Sequence, residues 1–136
     1  MTNQLSQLRW GRVAWTALTV FGVSFVIVIL IVTAYATYLG VQVRGAPDPT
    51  LIQAFANQYA PWIGPVCLIL FTFLGALWLA RFVRTDLELH GLALGVIVSL
   101  VNLVFEGLGA FSLMALITTV LIIGAGWLGG KFTTRA

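Results

Sequence analysis

The stretch Val13 to Val43, VAWTALTVFGVSFVIVILIVTAYATYLGVQV, decides the fold, because it contains no Asp, Glu, Lys or Arg. A helix that spans a bilayer needs about 20 mainly apolar residues, so this run is long enough to cross with tilt. The composition of the whole chain agrees. Of its 136 residues, 60% are hydrophobic and 8% are charged, whereas about 25% are charged in a typical soluble domain. A soluble core cannot hide that much apolar surface. Arg9 and Arg12, the apolar core from Phe21 to Val32 and the triplet Ala34-Tyr35-Ala36 loosely imitate a cleaved secretion signal. Signal cores run only about 7–15 residues, and this apolar run starts well before Phe21, so a retained span is expected.

Three more apolar runs follow, about 62–80, 89–105 and 110–128, after a first span of about 14–40. The expected fold is therefore all-α: an integral membrane four-helix bundle, one transmembrane domain over residues 1–136. Between the first two spans lies a polar connection, 44–61. Asp48 fits an N-cap, with Pro49 at the first helical position, where its missing N–H costs nothing. Leu51, Ile52, Phe55 and Tyr59 then recur on one helical face, which predicts a short amphipathic helix lying at the membrane surface. Pro61 and Pro65 fall near the entrance of the second span and are expected to bend it. The link Glu106 to Gly109, with two glycines, predicts a tight hairpin that makes spans three and four antiparallel neighbours. Gly129-Gly130 reads as a helix stop.

Arg9, Arg12, Arg81, Arg84, Lys131 and Arg135 fall on one side of this four-span topology and Arg44 on the other. The positive-inside rule then places both termini in the cytoplasm of a cell whose inner membrane holds the chain. Trp10, Trp15, Trp78, Phe82 and Trp127 mark the inner boundary, and Tyr35, Tyr38, Tyr59 and Trp62 the outer one.

Several functions are disfavoured by what is missing. There are no Lys/Arg runs interleaved with aromatics that would track a phosphate backbone, so nucleic acid is not an expected partner. Cys67 is the one cysteine, which rules out an internal disulfide or a cysteine-based metal site. No cofactor or metal is expected. The glycines at 124, 126, 129 and 130 lack the lysine and Ser/Thr of a phosphate loop and read as close helix packing.

The segment Arg81 to Gly95 holds most ionisable groups found away from the chain ends. Thr85-Asp86-Leu87-Glu88 fits a capping box, so the third helix is expected to start near Asp86, with both carboxylates at the positive end of its dipole. His90 follows about one turn later. It reads as an interfacial histidine bonded to headgroups or neighbouring backbone, with a proton relay as the alternative. Gly91, Gly95 and Ser99 at i, i+4, i+8 form a small-residue groove for a second helix, and Asn102 and Glu106 extend the stripe. Glu106 is the main functional candidate, since intramembrane carboxylates often mark ion paths, although it is expected to snorkel to outer water. Thr118 and Thr119 are expected to bond back to their own helix.

GALWLAR (Gly75 to Arg81), a short polar link and HGLALG (His90 to Gly95), with the later Gly129-Gly130 pair, resemble small four-span bacterial membrane proteins without an assigned activity. The resemblance implies a four-helix fold and no chemistry. Small multidrug exporters carry an essential glutamate in the first span, which has none here. Quinone-linked disulfide oxidases need paired cysteines. The expected function is that of an accessory subunit or interaction protein, contacting lipid and either a membrane partner or further copies of itself. The alternative is a small oligomeric transporter using Glu106, Asn102 and Ser99. An enzyme ranks third, because no nucleophile, base and orienting group assemble.

Overall fold

The computed structural model describes residues 8–83, 86–106 and 112–134, and of Glu106 the backbone alone. Four helices account for nearly all of them: α1 (Trp10–Val43), α2 (Pro49–Leu79), α3 (Leu87–Glu106) and α4 (Leu113–Thr133). All four are long and apolar enough to cross a membrane. The chain is an all-α, multi-pass membrane protein.

The helices are unequal. At 1.5 Å per residue, the 34 residues of α1 and the 31 of α2 span about 51 and 46 Å, well beyond a hydrocarbon core of about 30 Å. The 20 residues of α3 and 21 of α4 match that core closely. This difference corrects the expected surface helix. Asp48 does cap α2, accepting from Thr50 N–H at 2.9 Å and Thr50 Oγ1 at 2.8 Å, and Pro49 follows it. The helix then continues unbroken through Pro61 and Pro65 into the span, so the connection shrinks to residues 44–48. Its aromatic face turns to α1 as well as outward: Phe55 stacks on Tyr35 at 3.9 Å between centroids and meets Tyr59 at 4.7 Å. The Tyr35 stack joins the segment to α1.

Two more boundaries move. α4 opens at Leu113, where Ser112 Oγ accepts the Ala115 N–H at 3.1 Å; the hairpin glycines and Ala110 lie outside the described residues. At the other end Gly129 and Gly130 do not stop the helix, which runs on to Thr133. Both are buried at helix contacts, so their lack of a side chain serves packing rather than reversal.

α3 lies antiparallel to α4, α2 packs against α4, and α1 contacts α2 and α3. Among the described residues α1 does not reach α4. The core collects Val13, Ala17 and Val20 of α1, Leu68, Ala76 and Leu79 of α2, Leu94 and Val98 of α3, and Ile122 of α4. At the end where α1 begins and α4 finishes, Arg12 sits over Phe82 at 5.2 Å and Lys131 over Trp127 at 4.6 Å. The basic and aromatic residues read as one boundary are thus neighbours in space.

Candidate functional site

The buried polar side chains His90, Ser99 and Asn102 lie on α3, whose buried side presents two adjacent ridges. His90, Leu94, Val98 and Asn102 form one; Gly91, Gly95 and Ser99 form the other. The i, i+4 spacing puts each ridge on one face.

The glycine ridge is filled from within the chain. A Cβ on Gly91 would run into the Gly126 carbonyl and stand 3.1 Å from the Gly130 Cα. One on Gly95 would stand 2.8 Å from the Ile123 Cα, and one on Gly130 would run into the Leu87 carbonyl. The two helices therefore meet backbone to backbone. The helix that docks in the expected groove is α4. Gly129 makes the corresponding approach to α2, facing Ala76 and the Phe73 carbonyl. Gly124 faces open space and takes no part in the packing expected of it.

His90 is 2% exposed, and both its ring nitrogens are engaged by backbone. The Arg9 N–H reaches Nε2 at 3.2 Å, and Nδ1 lies 2.9 Å from the Asp86 carbonyl. A carbonyl only accepts and an amide N–H only donates, so Nδ1 carries the proton and Nε2 its lone pair. His90 is thereby a latch holding the entry of α1 against the first turn of α3. The expected backbone bonding holds, at a site buried rather than open to headgroups. Leu87 is the first residue of α3, which makes Asp86, at φ 50°, the flanking residue whose carbonyl accepts the His90 N–H at 3.0 Å. Glu88 then stands second in the helix rather than third, so the expected capping box is out of register by one residue. Thr85 and Arg84 lie outside the described residues.

Ser99 is buried, and its hydroxyl donates to the Val96 carbonyl at 2.9 Å. Asn102 is buried 7% exposed on the His90 ridge. One turn further the same ridge reaches Glu106, whose side chain lies outside the described residues, as does Arg135. The structure thus brings His90, Ser99 and Asn102 to one buried side of α3. Among the described residues, no three His, Cys, Asp or Glu side chains gather as metal ligands would. Cys67 is half-buried.

Of the other buried polar groups, Ser24 and Thr72 escaped the sequence reading. The hydroxyls of Ser24, Thr72 and Thr119 are buried without a hydrogen-bond partner. Thr119 therefore does not bond back to its helix as expected. Thr118, 8% exposed, also lacks that bond; threonine has two helical rotamers and only one of them suits it. The available signal was a hydroxyl in mid-span, and it cannot distinguish these from Thr16 and Thr19, which do bond back at 2.8 and 2.9 Å. Outside the membrane region, the Asp48 carboxyl is held below its ordinary range, first by the Thr50 backbone N–H and then by the Thr50 hydroxyl.

Comparison with protein-family models, curated proteins and solved structures finds no match for this chain.

Proposed function

We propose that the protein is an accessory subunit of a membrane assembly, seated in a bacterial inner membrane with both termini cytoplasmic, and that α1 carries the contact with its partner. The observation behind this is the distribution of burial along α1. Every buried residue of the helix lies between Val13 and Ser24, while Phe25, Val26, Ile29 and Leu30 on the next turns are exposed. The glycine ridge of α3 is occupied by α4, so partner binding falls to the helix with the largest free face. The orientation rests on Arg9, Arg12, Arg81 and Lys131, by the positive-inside rule. Membership in the four-span bacterial group that GALWLAR and HGLALG resemble belongs to the same reading.

Photo-crosslinking from Ile29 or Leu30 in native membranes, followed by identification of the adducts, tests it. One discrete protein adduct, reproduced by native purification, is the expected outcome. Lipid adducts alone from both positions, with no chain co-purifying, would remove the proposal.

A further inference from the structure

A groove of about 710 Å³ lies between α2 and the start of α4, with Asn57, Pro61, Trp62, Pro65, Ser112 and Thr118 among its lining. That volume falls within the range of small-molecule sites, roughly 300–1,000 Å³. Its two walls offer opposite hydrogen-bonding chemistry. On the α2 wall, Pro61 and Pro65 have no N–H, so the carbonyls of Asn57 and Pro61, each one turn earlier, lose their usual helical donors. All three residues concerned, Asn57, Pro61 and Pro65, line the groove. Both lie level with Tyr59 and Trp62, read as the outer boundary, where a lipid headgroup can supply the missing donors.

On the α4 wall, Ser112 Oγ takes the Ala115 N–H, and the Ser112 carbonyl takes the Leu116 N–H. The Met114 amide, on the groove's lining, is left without an intrahelical acceptor at the positive end of the helix dipole. Thr118 gives the independent sign of a ligand. It is 8% exposed, lines the groove, and its hydroxyl has no partner among the described residues. Of the described lining residues none carries a charge, so a group of net charge in either sense would be left unmatched.

We infer that this groove binds a zwitterionic phospholipid whose headgroup ends in a primary ammonium. The ammonium donates to the Asn57 and Pro61 carbonyls and the Thr118 oxygen, while the phosphate faces the Met114 amide. The acyl chains follow the apolar remainder, along Val66, Ile69 and Leu121. A primary ammonium satisfies the acceptors, whereas a trimethylated one of the same charge has no N–H to give.

The test is native mass spectrometry of the full chain with three lipids of identical acyl chains: phosphatidylethanolamine, phosphatidylcholine and phosphatidylglycerol. One charge-assisted hydrogen bond corresponds to about tenfold in affinity, so phosphatidylethanolamine is expected to bind about tenfold tighter than phosphatidylcholine. Thr118→Val, nearly isosteric, is expected to reduce that ratio several-fold. Pro61→Ala with Pro65→Ala, which returns N–H donors to the two carbonyls, is expected to bring it near one. Equal binding of the ethanolamine and choline lipids overturns the inference. So does tighter binding of the glycerol lipid, or a ratio unchanged in both variants.

Discussion

Gly95→Ala puts the packing of α3 on α4 to a quantitative test. The new methyl would stand 2.8 Å from the Ile123 Cα, 3.0 Å from the Ile122 carbonyl oxygen and 3.1 Å from the Ile123 carbonyl oxygen. Carbon atoms prefer about 3.5–4.0 Å, so relief requires the helices to part by about 1 Å. All three neighbours are backbone, and no side chain can rotate away. Overpacking of this kind costs typically about 1–3 kcal/mol. Parting would also loosen the contacts at Gly91 and Gly126. In the opposite sense, Ala gains about 0.5–1 kcal/mol of helix propensity over Gly. Gly22 and Gly124 isolate that second effect, since a Cβ at either meets open space. Reversible unfolding in mixed micelles by titration with a denaturing detergent would read all three variants. Gly95→Ala is expected to lower stability by about 1–2 kcal/mol net, with Gly22→Ala and Gly124→Ala unchanged or slightly more stable. A Gly95→Ala protein as stable as the Gly124→Ala control would refute the backbone-to-backbone reading.

Two further outcomes are expected. His90→Leu keeps the apolar bulk and removes the acceptor of the Arg9 N–H, a loss of about 1–3 kcal/mol if felt in full; because Arg9 stands at the entry of α1, the clearest readout is faster amide exchange over residues 9–13, and unchanged protection there would contradict the latch. Asp48 contributes stability only as the carboxylate that accepts from Thr50, and its folded-state pKa is lowered from the ordinary 3.8; its contribution is therefore complete above that value and lost as pH falls through the lower folded value. The Thr50 amide shift should titrate below pH 3.8, and a midpoint at or above it would show the cap to be absent.

The fold was legible because apolar runs of spanning length leave few alternatives in so uncharged a chain. The Asp48-Pro49 start was legible too, because capping is decided by two or three adjacent residues. What failed depended on partners distant in sequence. Gly129-Gly130 has the same local signature as a helix stop, and only the position of Phe73, Ala76 and Leu87 shows that the missing side chains admit other helices. The surface helix read before Pro61 is instead the opening of α2, whose Phe55 stacks on the distant Tyr35 of α1. For His90, the type of partner was readable from its place near a helix start, but not that Arg9, 81 residues away, supplies it. The stripe of Gly91, Gly95 and Ser99 was visible as a docking face, while nothing in its spacing says whether the docked helix belongs to the same chain.

The glycines also rank the helix contacts by tightness, and that ranking bears on function. Between α3 and α4, at Gly91, Gly95, Gly126 and Gly130, the atoms met by an added Cβ are all backbone. Between α2 and α4, at Gly129, they are the Phe73 carbonyl at 2.8 Å together with the Ala76 Cβ at 2.7 Å and a Phe73 ring carbon. Between α1 and α2, at Gly75, they are the methyl ends of Val20 at 2.8 Å and Thr16 at 3.3 Å. Side-chain ends yield by rotation and backbone does not, so the rigidity of the contacts falls from α4 outward to α1. α1 is also the helix whose fully buried residues end at Ser24 and whose entry is tied to α3 through the His90 latch. An element held by yielding side-chain contacts at one end and only half-buried along the other can re-seat at low cost when a second surface covers it. That combination, more than apolarity, distinguishes α1 from the other lipid-facing helices and supports its proposed role as the partner-binding element.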